Sequence, residues 1–429
     1  MLQAASDRDR TATRVGAISR HYPLVILTIV YVSNYVDRQI LAILIPQIKS
    51  DLLLSDAQLG LLSGFAFAIF YATLGLPIAR LADRSNRRNI LFFATASWSS
   101  FTALCGVAQN YVQLLLARMC VGIGEAGGGP ASMSMISDLY PPEKRATAMS
   151  VYSLAVPIGS LIGFMVGAFV ATHYGWRAAF LVVGLPGLAL ALLVRFTLAE
   201  PLRQAQPNPT AALGIRDTLS FLWSQRAYRW LVAGIATNAF VGSGVLVWLG
   251  AFLMRTHHLT LIETGTTLAL IVGPVGAVGT LAGGWLSDRF TAKYPRAGLY
   301  VMTGGIVASI PISIILFLAE SKMVALSALA VWMIFGSLWL GPAFALGQSL
   351  ATSGMRALSA AIISFLINLV GYGFGPLAVG LLSDGLARRF GDEALGIALA
   401  ITMTLNLLTA AFFLAARRTL VDDLNRANA

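Results

Sequence analysis

The sequence predicts an all-α polytopic membrane protein with twelve transmembrane helices arranged as two pseudo-symmetric bundles of six. Composition is the first observation: 57% of the 429 residues are hydrophobic and only 11% are charged, whereas a soluble domain carries about 25% charged residues. The second is a series of apolar runs of roughly the 20 residues that a membrane helix requires. The third is a polar stretch in the middle of the chain that divides these runs into two equal sets.

The apolar runs follow one another along the chain with short polar loops between them. Each is taken as one membrane span, numbered in chain order. The predicted spans are 22–47, 58–82, 89–109, 111–137, 146–171, 177–199, 228–254, 262–286, 298–319, 323–350, 357–383 and 395–416.

Polar segments set the limits of the two bundles. Residues 1–20 form an arginine-rich cytoplasmic tail, and residues 417–429 form a second tail after the last span. The longest polar stretch, 200–226, contains three prolines, which disfavour helix, and is predicted to be a cytoplasmic linker. The first bundle is therefore expected within 21–199 and the second within 227–416.

The distribution of Lys and Arg predicts the orientation. If both termini lie on one side, 22 of the 30 basic residues fall on that side, six on the other and two within spans. Cytoplasmic loops carry an excess of basic residues. We therefore expect a multi-pass protein of the cell (inner) membrane with both termini in the cytoplasm. This bias accounts for the net charge of +11, so no nucleic-acid partner is predicted.

Two loops repeat at corresponding places in the two halves. ARLADRSNRR (79–88) follows span 2, and GGWLSDRFTAK (283–293) follows span 8. Each places Asp-Arg at the cytoplasmic end of a helix and a basic residue after a short turn. Parallel repeats of this kind are typical of transporters built from two bundles.

These loops resemble the G-x-x-x-D-R-x-G-R-R/K pattern of the major facilitator superfamily, although Ala79 and Asn86 replace the usual glycines of the first loop. The R-x-x-x-G pattern of that superfamily also matches Arg118 and Gly122 in span 4. The resemblance covers essentially the whole chain and implies the major facilitator fold. It also implies a cytoplasmic gate that is held by charge pairs and helix-terminus contacts. The residues assigned to this gate are Asp83, Arg84, Arg87, Arg88, Asp288 and Arg289.

A narrower resemblance is to the Spinster family. It rests on NYVDRQ (34–39), on the segment from GEAGGGP to SVY (124–152) and on GWRAAF (175–180). Animal members of that family are associated with export of sphingosine-1-phosphate and lysophospholipids. The resemblance implies a lysolipid-like substrate and a monomeric protein.

Four ionisable residues lie well inside the predicted spans, and all are in the first half: Asp37, Arg38, Arg118 and Glu125. Charges within a membrane are costly and commonly mark substrate or proton pathways. Arg118 and Glu125 are two turns apart on span 4, too far to pair with each other. We therefore expect span 1 to supply their partners, with two acids and two bases balanced across a water-filled cavity.

Roles for these residues follow from their chemistry. Asp37 and Glu125 are the candidate proton-coupling groups. Arg38 and Arg118, with Asn34 on the same face of span 1, are candidates to bind an anionic headgroup; alternatively, the arginines hold the acids ionised until substrate competes. A static ion-pair cluster that only fixes helix packing is the other interpretation. The glycines and proline of 122–130 predict a hinge beside Glu125 or, equally, close helix packing.

Aromatic side chains are prominent in spans 7, 10 and 11 and predict an apolar wall opposite the charges. A cavity with charges on one side and aromatic rings on the other would suit an amphipathic substrate. The residues are Phe240, Trp248, Trp332, Phe335, Trp339, Phe344, Phe365, Tyr372 and Phe374.

The sequence thus predicts a secondary active transporter that works by alternating access, with protons as the coupling ion and a lysophospholipid or sphingosine-1-phosphate type of substrate. A proton-coupled exporter of drugs or small organic ions is an alternative. A non-transporting receptor or a lipid scramblase is an alternative of another class. No nucleophile–base set, P-loop or metal-ligand spacing is visible, so we predict no enzyme activity, no cofactor and no metal site.

Overall fold

The computed structural model describes residues 2–201, 215–291, 293–352 and 354–428. Side chains are described from His21 onward, except at positions 76, 79–80, 82–84, 142–143, 146, 215, 357 and 428. Most of the predicted linker therefore lies outside the described residues. We call the face that carries both chain ends and the linker the terminal face, and the opposite one the far face.

The first half contains six membrane-spanning helices, as predicted. Helix 1 is longer than its predicted span and begins at Leu2, within the predicted tail. Several helices are built from consecutive segments. Helix 1 is Leu2–Leu52; helix 2 is Asp56–Gly60, Leu61–Phe65 and Ala66–Arg84; helix 3 is Arg87–Cys105; helix 4 is Tyr111–Glu125 and Gly128–Leu139. Helices 5 and 6 together are the segments Pro142–Ser153 and Ala155–Thr197, and the boundary between the two helices lies at Gly175 in the second segment.

The second half repeats this arrangement after a short linker helix, Ile215–Ser224. A further short helix, Leu420–Asn428, follows the last span. Helix 7 is Arg226–Thr256; helix 8 is Leu261–Leu270, Ile271–Val275 and Gly276–Thr291; helix 9 is Ala297–Leu318; helix 10 is Lys322–Ser337 and Leu340–Ser349; helix 11 is Arg356–Leu366, Ile367–Phe374 and Gly375–Phe390; helix 12 is Ala394–Thr404 and Asn406–Ala416.

Glycines divide two continuous helical stretches at corresponding places in the halves. Gly175 has φ 81° and separates helix 5 from helix 6, and Gly391 has φ 54° and separates helix 11 from helix 12. Such φ values are unfavourable for residues with a Cβ atom. The chain therefore reverses direction at these glycines with almost no loop.

Polar side chains fix several helix starts. Ser55 and Thr260 each accept a hydrogen bond from the third residue of helices 2 and 8, and that residue's side chain bonds back to the cap. The side chains of Asn86 and Asn110 accept a hydrogen bond from the third residue of helices 3 and 4 in the same way, but without the bond back to the cap. Each cap satisfies backbone N–H groups that lack a partner inside the helix. These caps place the ends of helices that carry the functional side chains.

The apolar core shows how the two halves meet. Towards the far face, one continuous cluster combines side chains of both halves, such as Ile43 and Phe164 with Trp248 and Leu268. Towards the terminal face the core divides into two clusters, one in each half. The halves are therefore packed together at the far face and separate towards the terminal face.

Candidate functional site

Helix 1 carries three polar side chains on one face near the middle of the membrane. Asn34 and Asp37 are 6% and 2% exposed, and the side chain of Arg38 is 16% exposed. Their i, i+3 and i+4 spacing stacks them on one side of the helix. Asn34 makes no side-chain hydrogen bond within the described part of the chain. One helix thus brings an amide, an acid and a base to the same place.

Arg38 pairs with Glu125 of helix 4. Its Nε donates to Oε2 of Glu125 at 2.7 Å, and the Glu125 side chain is 0% exposed. Rings surround the guanidinium: Tyr71 at 4.7 Å, Phe67 at 5.0 Å and Tyr35 at 5.6 Å from its Cζ. Such rings stabilise a cation through their negative faces. The charge of Arg38 is therefore held by one carboxylate and three aromatic rings.

Asp37 forms the second pair with Arg118, and this pair is deeper. Oδ1 of Asp37 lies 3.5 Å from NH1 of Arg118, and both side chains are 2% exposed. The Thr102 hydroxyl of helix 3 donates to Oδ2 of Asp37. Several atoms here have no hydrogen-bond partner among the described residues: Asp37 Oδ1, Glu125 Oε1, and Nε and NH1 of Arg118.

We call Asp37, Arg38, Arg118 and Glu125 the central cluster. The expectation that helix 1 supplies the partners of the two charges on helix 4 is confirmed. The expectation of a water-filled cavity between them is wrong, because the pairs are in direct contact in a packed bundle. Close packing avoids the cost of separating buried opposite charges.

Glycines allow helix 4 to approach its neighbours at the cluster. A Cβ atom on Gly122 would lie 2.5 Å from the carbonyl oxygen of Phe67 in helix 2, and one on Gly124 would lie 2.6 Å from the backbone nitrogen of Trp98 in helix 3. The first segment of helix 4 ends at Glu125, and the next begins at Gly128. The predicted close packing is confirmed, and the helix is interrupted directly after the buried carboxylate.

The predicted gate residues lie at the terminal face. Arg87 is 1% exposed; it donates to Asp138 and, at 2.8 Å, to Glu200. Burial alone lowers the pKa of Arg87, but its bonds to these two carboxylates raise the pKa above its ordinary value. The backbone N–H of Arg88 donates to Glu200 at 2.9 Å. These contacts tie helices 3, 4 and 6 together within the first half.

The remaining gate residues make fewer contacts. Asp288 is exposed and has no ion pair within the described part of the chain, and Arg289 lies 5.2 Å above the ring of Trp285. The side chains of Asp83 and Arg84 lie outside the described residues. No ion pair joins the two halves at the terminal face among the side chains that the structure describes.

The far face carries a second group of charges that sequence analysis missed. Asp56 at the start of helix 2 accepts hydrogen bonds from Arg255 of helix 7 at 2.7 and 2.8 Å. Lys49 of helix 1 donates to Asp56 at 2.6 Å, and Ser383 of helix 11 donates at 2.7 Å. One carboxylate therefore accepts hydrogen bonds from three side chains, two of which belong to the other half.

Asp384 of helix 11 completes this group. Its carboxylate accepts the backbone N–H groups of Asp56 and Ala57 at 3.0 and 2.8 Å, so its negative charge lies at the positive end of helix 2. A Cβ atom on Gly380 would lie 2.3 Å from the carbonyl oxygen of Asp56. We call Lys49, Asp56, Arg255, Ser383 and Asp384 the far-face node; it joins the two halves.

A sequence signal for part of this node existed. Gly380 and Asp384 repeat the G-x-x-x-D spacing of Gly284 and Asp288. The resemblance to the superfamily places this pattern at the cytoplasmic ends of helices 2 and 8, whereas here it occurs at the far end of helix 11.

The aromatic residues of the second half do not form one wall. Trp248 is 0% exposed and donates to the carbonyl of Pro376 at 2.9 Å, so it packs helix 7 against helix 11. Phe374 contacts Phe65 of the first half at a ring distance of 5.2 Å. Tyr372, two residues before Phe374 in the same segment of helix 11, is half-buried. Of these rings, Phe374 thus faces the first half, whereas Trp248 is enclosed between helices.

Comparison with known proteins gives a consistent result. Residues 27–376 match the Major Facilitator Superfamily. An MFS-type efflux pump of Mycolicibacterium smegmatis is 33% identical over 98% of this chain and 99% of its own. The sphingosine-1-phosphate transporter SPNS2 of Danio rerio is 26% identical over 94% of this chain and 85% of its own.

A solved structure is also similar over nearly the full length. It is a bacterial homologue of the human lysosomal transporter Spinster in an inward-facing, unoccupied conformation. The TM-score is 0.87 and the identity 30%, over 94% of this chain and 98% of that one. The Spinster resemblance that the sequence motifs predicted is therefore confirmed.

Proposed function

The chain belongs to the Major Facilitator Superfamily of membrane transporters, and from this premise we propose that it is a proton-coupled transporter of a lysolipid. The proposed substrate is a lysophospholipid or a molecule of the sphingosine-1-phosphate type, moved across the cell (inner) membrane by alternating access. Similarity to a Spinster homologue and to a sphingosine-1-phosphate transporter supports this substrate class. We propose that the working unit is a monomer.

The Arg38–Glu125 pair is the observation that carries the proposal. Arg38 is the more exposed member of the pair, at 16%, and Glu125 is fully buried. An anionic headgroup that approaches Arg38 competes with Glu125 for the same positive charge. A buried carboxylate that loses its cationic partner is costly, so Glu125 takes up a proton when the headgroup binds. Substrate and proton are then bound together.

The other members of the cluster have supporting roles in this mechanism. Arg118 pairs with Asp37, and Asp37 is the second group able to take up a proton as the cluster rearranges. Asn34, one turn before Arg38, has an amide without a side-chain partner in the described structure and would hydrogen-bond the headgroup. Tyr35 and Tyr71 would line the path of the headgroup to Arg38.

We propose that the conformation is inward-facing, with the terminal face in the cytoplasm. The excess of basic residues on the terminal face supports this orientation. The far-face node and the shared core close the outer side. In the outward-facing state the proposed cytoplasmic gate, Asp83, Arg84, Arg87, Arg88, Asp288 and Arg289, would close the terminal face instead.

The test is uptake of radiolabelled lysophospholipid and sphingosine-1-phosphate into proteoliposomes, with and without an imposed pH gradient. We expect gradient-dependent flux for the native chain. In Glu125→Gln, a neutral side chain of the same shape cannot exchange a proton, so the dependence on the gradient should disappear. The expected loss is about 100-fold, the lower end of the range for a positioned proton-transfer group.

Glu320→Gln is the matched control, because Glu320 is exposed at the far end of helix 9 and has no partner in the described structure. It should transport like the native chain. Normal coupling in a folded Glu125→Gln variant would remove Glu125 from the mechanism. If the native chain moves lysolipid at the same rate with and without the pH gradient, a scramblase is favoured. If it binds lysolipid without any flux, a receptor is favoured.

Export of amphipathic drugs or small organic ions is the second candidate, and similarity to an MFS-type efflux pump favours it. For a cationic substrate an acid of the central cluster, rather than Arg38, would be the binding group. Arg38→Gln separates the two candidates: it should abolish transport of an anionic lysolipid but leave binding of an organic cation intact.

A further inference from the structure

A basic groove lies at the terminal face between helices 7 and 12, away from the central cluster. It encloses a cavity of about 570 Å³. Its lining residues are Arg226, Arg229, Trp230, Ala233, Ala415, Arg418 and Thr419. We propose that this groove binds the phosphate of an anionic membrane phospholipid, which is distinct from the transported substrate.

Helical spacing brings the lining side chains together. Arg226, Arg229 and Trp230 lie at i, i+3 and i+4 on the first turns of helix 7 and therefore share one face. Ala415 and Arg418 are likewise three residues apart, in the last turn of helix 12 and just after its end at Ala416. Helices 7 and 12 are neighbours, so three arginines line the groove between them from two sides.

The three arginines are uncompensated. Within the described part of the chain, none of Arg226, Arg229 and Arg418 has a side-chain hydrogen bond or an ion pair. The nearby carboxylate of Asp423 is engaged elsewhere: it accepts the backbone N–H of Ala227 at 2.8 Å and lies 3.5 Å from Arg426. Three unpaired arginines that line one groove are suited to the oxygens of a phosphate group.

The surroundings favour a lipid over a soluble anion. Trp230 is 42% exposed and stacks on Phe412 at 5.6 Å, and tryptophan is typical of the membrane–water interface. Leu408 and Leu405, which follow Phe412 at helical spacing towards the membrane centre, are 46% and 39% exposed. An acyl chain can lie along this apolar strip while its phosphate occupies the basic groove.

Arg417 provides an internal control. It is adjacent to Arg418 and carries the same charge, but its side chain turns to Tyr300 of helix 9, where NH1 lies 3.3 Å from the phenol oxygen. Removing Arg417 changes the net charge of this face without removing a lining residue of the groove.

The test is native mass spectrometry of the full-length protein in detergent, titrated with cardiolipin, phosphatidylglycerol, phosphatidylcholine or inorganic phosphate. We expect retained adducts with the two anionic lipids and few with phosphatidylcholine. Replacing Arg226, Arg229 and Arg418 by Gln should weaken cardiolipin binding about 100-fold, as the loss of three arginines near an anionic headgroup implies. Arg417→Gln should bind like the native chain. If the triple variant is not monodisperse, Arg418→Gln alone should weaken binding about fivefold.

Three outcomes would overturn the proposal. Equal cardiolipin binding by the native chain and the folded triple variant would show that the groove is not the site. Equal weakening in Arg417→Gln would indicate attraction to general positive charge. Displacement of cardiolipin by millimolar inorganic phosphate would assign the groove to a soluble anion instead of a lipid.

Discussion

The central cluster and the far-face node each contain two acids and two bases, but they are built differently. All four charges of the central cluster belong to the first half. The node takes Lys49 and Asp56 from the first half and Arg255 and Asp384 from the second. In the node every oxygen of both carboxylates accepts a hydrogen bond, whereas Asp37 and Glu125 each keep one oxygen without a hydrogen-bond partner among the described residues.

The difference in hydrogen bonding distinguishes a group of charges that stabilises one arrangement from a group whose partners can be replaced. A fully hydrogen-bonded group of charges loses much when any member is removed, and therefore favours one arrangement. A partly satisfied group keeps donors and acceptors that a headgroup or a proton can engage. We therefore propose that the node stabilises one conformation and that the central cluster binds and releases the headgroup and the proton.

The largest expected effect is a charge reversal in the central cluster. Arg38→Glu alone places two buried acids side by side and should cost at least about 3–5 kcal/mol of stability, measured as loss of monodisperse protein after extraction. Adding Glu125→Arg restores opposite charges and should restore the fold. Transport should stay absent, because the cation then lies on helix 4, where the side chain is 0% exposed.

The double reversal decides between a packing role and a transport role for this pair. Recovery of both stability and transport would mean that the pair only fixes helix packing, and the contrast with the far-face node would disappear.

The second effect concerns the far-face node. Asp56→Asn leaves Arg255 and Lys49 without their shared carboxylate and should weaken closure of the far face by about 2 kcal/mol. This lies between the values for an exposed pair and a buried pair, because both bases are partly exposed. That is about a 30-fold shift towards the open state. Spin labels at Gln109→Cys and Asp392→Cys, with both native cysteines replaced by Ala, should report a longer distance.

Glu263→Gln is the control for this experiment. Glu263 also lies in a far-face ion pair, 3.2 Å from Lys322, but both residues are in the second half and their side chains are 50% and 44% exposed. Its label distances should match those of the native chain. An unchanged distance in Asp56→Asn would mean that the apolar core closes the far face without the node.

The smallest effect tests the same closure through packing. Gly380→Ala places a Cβ atom against the backbone of helix 2, so helices 2 and 11 must separate slightly, at a cost of about 1 kcal/mol. The same label pair should show a modest shift of population to the longer distance. Gly385→Ala, five residues further along helix 11 with nothing within 4 Å of the added atom, should show none.

Sequence reasoning reached the central cluster but missed the far-face node. Uncompensated charges inside apolar spans demand partners, so the pairing of helix 1 with helix 4 followed from four residues. Asp56, Arg255 and Asp384 lie at helix ends, where charges are expected, and gave no such signal. Asp56 is separated by 199 positions from Arg255 and by 328 from Asp384, so only the packed helices reveal their contact.

The spans were predictable because membrane helices must satisfy their own backbone hydrogen bonds and are therefore long and apolar. The direct contact of the two central pairs was not predictable, because it depends on how closely Gly122 and Gly124 let helix 4 approach its neighbours. A glycine in a sequence shows that close approach is possible, but not which helix approaches.

The wide turn in helix 2 makes the exact number of residues in this segment important. Residues 61–65 are π-helical, with one more residue in the turn than an α-helix has. In an uninterrupted α-helix, positions 60, 64 and 67 would share a face; here Gly60 and Gly64 meet helix 11 while Phe67 meets Arg38. Each residue advances a helix by about 100°. A deletion of one residue in this segment would turn one of these surfaces away from its partner, so the length of the segment is constrained as well as its glycines.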